Sequence, residues 1–180
     1  MMDPDVGALI VAAFALLFAS ASWHKWRSLA EFEAVLLNYR LAPARLGPLL
    51  KVLIPALELV LAGALLFAAT RRVAAATGIV VLLGYATAIA INLLRNRRDL
   101  DCGCGARDDR RPIAPWMVAR NLVLATLLGG AVLPWSARAL GAVDALTIGG
   151  GVALLALLYV AIDQLLGQVL PRAAALKGPA

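Results

Sequence analysis

Five stretches of this chain are nearly free of charge, and each is about the 20 residues that a helix needs to cross a hydrocarbon layer of about 30 Å. Val6–Trp23 and Val73–Leu94 carry no charged residue, Val52–Thr70 carries only Glu58, Ile113–Leu133 only Arg120, and Ala145–Leu166 only Asp163. One such block could be a buried helix of a soluble protein. Five in succession leave too little polar chain to cover them, in a sequence that is 62% hydrophobic against roughly 45–50% for soluble domains. The pattern predicts an all-α, polytopic membrane helix bundle. Its helices run over about 6–23, 52–70, 73–94, 113–133 and 145–166 of a single integral membrane domain, residues 1–180.

The first block resembles a secretory signal at Ala19-Ser20-Ala21, but Met1-Met2-Asp3-Pro4-Asp5 lacks the basic residues that open a signal, so it reads as a retained helix. The net charge of +6 does not point to nucleic acid. Basic residues at membrane borders orient helices and meet anionic lipid heads. Loops after odd-numbered helices, together with the C-terminus, hold thirteen of the seventeen basic residues. The opposite face holds Arg71, Arg72 and Arg138, with Arg120 inside the membrane. That asymmetry places the N-terminus outside and residues 95–112 on the cytoplasmic side.

Between the first two blocks, Phe32, Val35, Leu36, Tyr39 and Leu41 recur near helical spacing among Glu31, Glu33, Asn38 and Arg40. Residues 25–47 read as an amphipathic segment at the interface, entered by Trp23 and Trp26 and closed by Pro43 and Pro48. An elongated first helix is the alternative. Pro55 removes the backbone donor for the Lys51 carbonyl and predicts a kink near Glu58. Gly63 and Gly149-Gly150-Gly151 are places where helices could approach closely.

The only two cysteines are Cys102 and Cys104, separated by Gly103 in a segment rich in arginine and aspartate. That setting is too polar for a buried structural thiol. Glycine lets the chain turn sharply enough for a small disulfide ring, and a strained ring is more easily reduced than a structural bridge. A redox pair is the leading reading; half of a metal site, or no specific chemistry, are the others. Zinc takes four ligands, and one chain offers two thiols and His24, so no metal site is expected within one chain.

Glu58 is the second candidate, because a charge at mid-membrane costs roughly 2.5–3.5 kcal/mol on insertion scales and so faces protein. Arg120, Asn121 and Asn92 are its candidate partners, and pairing with Arg120 would compensate two costly charges. Arg120 could also snorkel to the headgroups. Asn92 and Asp163 lie near helix ends and read as solvated.

These residues occur in an order that resembles a known family. His24-Lys25-Trp26-Arg27, Asn38-Tyr39-Arg40-Leu41-Ala42-Pro43, Glu58, Asp101-Cys102-Gly103-Cys104-Gly105, and Trp116 with Arg120-Asn121 are similar to the MauE family, within the wider DoxX-like group. Many relatives carry Phe after the second cysteine, where this chain has Gly105-Ala106. The resemblance implies a DoxX-like four-helix core with a fifth, C-terminal transmembrane helix, in a bacterial inner membrane. It implies a role in maturing methylamine dehydrogenase, whose exported small subunit carries many disulfides. Cys102 and Cys104 would be the redox pair, with Gly103, Glu58, Arg120 and Asn121 in support. Thioredoxin-like or other maturation proteins and the exported client subunit would be partners, beside membrane lipid. No cofactor is certain. The charge count puts the thiols on the side opposite the client, so a quinone or a partner would have to carry electrons outward.

Two other functions fit the same residues. A transporter or export helper would use Glu58 and Arg120 as pathway groups, and a structural anchor would recruit maturation factors through residues 25–47. Reporter fusions should place Arg71-Arg72 outside and Cys102 inside. Labelling of Cys102 or Cys104 by a membrane-impermeant thiol reagent in intact spheroplasts would reverse that orientation.

Overall fold

A computed structural model describes residues 3–100, 112–136, 138 and 141–176, the stretch 167–176 as backbone. Helix α1 (Pro4–Arg27) is opened by Asp3, whose carboxylate accepts the Asp5 backbone N–H at 3.0 Å, with Pro4 in the first turn. It stops at Ser28, whose φ of −139° and ψ of 51° leave the helical region. The following segment is therefore a separate short helix, α2 (Leu29–Tyr39), and not an elongation of α1. It turns its Phe32 and Tyr39 inward and ends at a left-handed Arg40. A 3₁₀ turn over Ala44–Leu46 leads into α3 (Gly47–Leu66).

Helix α3 begins ahead of its apolar block because Pro48 is tolerated in a first turn, where no intrahelical donor is needed. It ends in a tight turn where the Thr70 hydroxyl donates to the Ala64 carbonyl at 2.7 Å. Helix α4 (Arg71–Leu94) returns, α5 (Pro115–Gly129) runs back and closes with a 3₁₀ turn over Gly130–Val132, and α6 (Ala142–Leu176) follows. Helices α1, α3, α4, α5 and α6 are long and apolar enough to cross a membrane, and among the described residues there is no strand. The protein is an all-α, multi-pass membrane bundle.

Four of the spans form a core. Val11, Phe14 and Phe18 of α1 meet Leu61 and Leu65 of α3, Ala75 and Leu82 of α4, and Ala125 and Leu128 of α5. Lipid is as apolar as leucine, so such a core is held by close packing more than by escape from solvent. Gly78 of α4 shows this: a Cβ there would lie 2.9 Å from Leu128 Cδ2 and 3.1 Å from Phe18 Cε2. Gly63, expected to mediate a close approach, has nothing within 4 Å of a Cβ position. The buried stripe of α3 runs through Glu58, Leu61, Ala62 and Leu65, and Gly63 falls off it. Of the glycine triplet, Gly149 and Gly150 are open and only Gly151 meets another helix, at Leu9 of α1.

Helix α6 stands outside the core, with no buried residue in its apolar window. At the end remote from the cysteine segment, Arg138 joins Asp5 of α1 at 2.6 Å and Asp144 of α6 at 3.2 Å, so the two helices start side by side. Replacing Gly78 by alanine should destabilise the bundle by about 1–3 kcal/mol, the usual range for an overpacked site. Gly84→Ala, where nothing lies within 4 Å, should be neutral or stabilising. Thermal unfolding of the two variants in one detergent checks the contrast.

Candidate functional site

Among the described residues the most deeply buried charged group is Glu58, 1% exposed, and its partner is Lys25. The ammonium donates to both carboxylate oxygens, at 2.7 and 2.8 Å, and the Tyr85 hydroxyl donates to Oε1 at 2.7 Å. The Phe32 and Tyr85 rings lie 5.5 and 5.4 Å from the Lys25 nitrogen. One site thus joins α1, α3, α4 and the short α2. Side chains on a helix lean toward its N-terminus, so the Lys25 stem reaches from the last turn of α1 back into the bundle. One turn earlier, the Ser22 hydroxyl donates to the Pro55 carbonyl at 2.8 Å, joining α1 to the proline turn of α3.

This corrects the expected pairing. Arg120, Asn121 and Asn92 do not meet Glu58, and Lys25, counted as a border charge, belongs to the interior. Twelve basic residues then remain on that face against three on the other. A signal for Lys25 was present: Val11, Phe14, Phe18, Ser22 and Lys25 follow the three- and four-residue spacing of one helix face, and all five are buried.

Asn92 is fully buried, contrary to a solvated helix end. The left-handed Asn96 (φ 57°) closes α4. Its N–H donates to Leu93 O and the Arg97 N–H to Asn92 O, both at 3.0 Å, the paired bonds that finish a helix with a left-handed residue. The side chains then reach across to α2. Asn92 Nδ2 donates to Tyr39 O at 3.3 Å, Arg97 Nη2 to Asn38 O at 2.8 Å, and Arg97 Nη1 to Asn92 Oδ1 at 3.1 Å. The last carbonyls of α2 have no partners within their own helix, and α4 supplies them.

Below this clamp, Tyr39, Ile89, Ile113 and Met117 form a second apolar cluster, against which Leu100 packs. The Ile113 N–H donates to Leu100 O at 2.9 Å, so the two ends of the cysteine segment are held together. Cys102, Gly103 and Cys104 themselves lie outside the described residues.

Arg120 and Asn121 are neighbours that face different ways. Asn121 is buried and donates to Met117 O of its own helix at 2.9 Å. Arg120 turns to α6 and meets Asp163 at 2.6 Å, with the Trp116 and Tyr159 rings 5.4 and 5.9 Å from its guanidinium carbon. Asp163, expected to be solvated, is the counter-charge of Arg120 and is only partly exposed. The two costly charges are thus compensated separately.

A five-span bundle with ion pairs joining α1 to α3 and α5 to α6, and a basic, cysteine-bearing connection between α4 and α5, defines a multi-pass membrane protein with an intramembrane polar core. The family profile described as methylamine utilisation protein MauE matches residues 4–136, which take in the first four spans and the cysteine segment. A methylamine utilization protein MauE of Methylophilus methylotrophus is 35% identical over 167 residues, 92% of this chain and 88% of its own. That of Paracoccus versutus is 34% identical over 183 aligned residues, 99% and 97% of the two chains. A third, from Paracoccus denitrificans, is 34% identical over 127 residues, 71% of this chain and 68% of its own. No solved structure matches. This chain belongs to the MauE family.

Removing one partner of a buried ion pair strands the other charge, at a cost of about 3–5 kcal/mol, whereas removing both is far milder. Lys25→Met and Glu58→Leu should each lower stability by that amount, and the double variant should recover most of it. Tyr85→Phe should cost about 1.5–3 kcal/mol, the worth of a hydrogen bond to a charged group. Unfolding of the four variants, analysed as a double-mutant cycle for Lys25 and Glu58, gives the coupling directly.

Proposed function

We propose that this chain is a membrane accessory protein of methylamine utilisation that acts by thiol–disulfide exchange at Cys102 and Cys104. The observation that carries the methylamine assignment is the family match over residues 4–136. The thiol chemistry is supported by the isolated Cys-Gly-Cys spacing, by its polar setting, and by the closed base at Leu100 and Ile113. In the proposed cycle the two thiols give up two electrons and two protons and become one intramolecular disulfide. The acceptor is a disulfide of a thioredoxin-like partner or a quinone, which takes up the same two electrons and two protons. The client is the exported small subunit of methylamine dehydrogenase, whose disulfides such exchange would help to form or sort. The protein then resides in the bacterial inner membrane, with the cysteine segment on the more basic face.

Glu58 and Arg120 favour this reading over a transport pathway. Each is closed within its own ion pair, on different helices, and they do not form a continuous route. Either single Cys→Ser change should abolish client maturation without lowering membrane abundance, and one of the two should accumulate a mixed disulfide. Alkylation trapping in cells, with immunoblotting for the client, reads both. Normal yield of active client in the double Cys→Ser strain would remove thiol chemistry as the function and leave the anchoring role.

A further inference from the structure

Arg40 and Asn96 are the two non-glycine residues with a left-handed backbone among the described residues, at φ 51° and 57°. Both close helices at the cysteine-segment end, α2 and α4. A helix that ends this way normally does so with glycine, and an arginine there carries a conformational cost that glycine avoids. Arg40 thus keeps a guanidinium where backbone geometry favours no side chain at all.

Its surroundings suggest why. The two residues before it, Asn38 and Tyr39, are the ones whose carbonyls Arg97 and Asn92 clamp, so Arg40 lies beside the α4 cap that carries Arg95 and Arg98. Arg40, Arg95 and Arg98 are exposed, and none has an ion-pair partner among the described residues. The carboxylates of α2 and of the α4 end among the described residues do not balance them: Glu33 is taken by Lys51, Glu31 has a partner of its own, and Asp99 stands against three guanidiniums. The same junction is apolar on its membrane side. Leu94, the last residue of α4, is 88% exposed, and Leu41, next to Arg40, is 42% exposed. Trp23 and Trp26, exposed on the last turns of α1, mark the headgroup level at this end.

We propose that the junction of α2 and α4 is a seat for an anionic phospholipid, its phosphate held by Arg40, Arg95 and Arg98 and its acyl chains lying over Leu41 and Leu94. Guanidiniums with no ion-pair partner among the described residues, beside exposed leucines, match an amphiphile. An acidic protein would answer the arginines and leave Leu94 uncovered, and a free phosphate would not use the leucines. The seat is independent of the thiol chemistry. It would fasten α2 and α4, and with them the base of the cysteine segment, to the leaflet richer in anionic lipid.

The test uses the full chain in nanodiscs of phosphatidylcholine mixed with phosphatidylglycerol, with lipids retained after detergent extraction counted by native mass spectrometry. The wild-type protein should retain phosphatidylglycerol in preference. Arg40→Gly should lower that retention about fivefold, the worth of one basic residue at an anionic surface. Its melting temperature in lipid-free detergent should not fall, because glycine suits the left-handed backbone. Arg95→Gln should lower retention similarly, and Arg72→Gln at the opposite end should leave it unchanged. Excess inorganic phosphate should not displace the lipid. Equal retention of the two lipids, or unchanged retention in Arg40→Gly and Arg95→Gln, overturns the seat. So does displacement by inorganic phosphate, or capture of an acidic protein at these arginines without lipid preference.

Discussion

The bundle depends on a charge pair placed where charge is hardest to keep. Glu58 lies near the middle of α3, and no water is available there to solvate a carboxylate. Lys25 supplies the opposite charge from α1 and Tyr85 a hydroxyl from α4, so three spans are committed to one geometry. Apolar packing between helices in lipid is only weakly selective, since lipid chains can replace side chains at little cost. A buried ion pair is selective, because any rearrangement of α1 against α3 strands two charges. The apolar core of Phe14, Phe18, Leu61 and Leu65 is assembled in register with that pair.

The same logic of satisfying stranded groups organises the end that carries the cysteine segment. Helix α2 is short, and its terminal carbonyls need donors that its own backbone cannot provide. Asn92 and Arg97 provide them from α4, and the clamp brings α2, α4 and, through Ile113, the approach to α5 to one place. Helix α6 is joined differently, by Arg138 at one end and Arg120 with Asp163 at the other, with Gly151 against Leu9 between. It is an addition to a four-helix core, packed along α1 and tied by ion pairs near both ends.

Membership of the MauE family connects this architecture to methylamine utilisation, and the architecture in turn bears on mechanism. A transporter needs polar groups that exchange partners along a path. Here Glu58 and Arg120 are paired in place, and the residues of the proposed chemistry belong, in the sequence, to the connection between α4 and α5. On the proposed reading, the membrane domain would hold that connection at the border, and exchange would take place with partners that approach from solution or from the bilayer.

Five charge-poor blocks of membrane length determined the fold class, because an apolar block of that length has few other ways to satisfy its backbone. The separate short helix α2 was legible in the spacing of Phe32, Val35 and Tyr39, and Glu58 stood out because a lone carboxylate in lipid needs a reason. Its partner was not legible in the same way. Linear position places Lys25 at the border with Arg27, and only the lean of the side chain along α1 and the packing of α1 on α3 bring it inside. Asn92 and Asp163 looked solvated because they lie near helix ends, but tertiary structure placed one beneath the cap of α2 and the other against Arg120. Charge and hydropathy are properties of a residue and its neighbours in the chain, so the sequence alone determined which segments enter the membrane. Which charges pair there depends on helix rotation and register, and these are decided only when all the spans pack together.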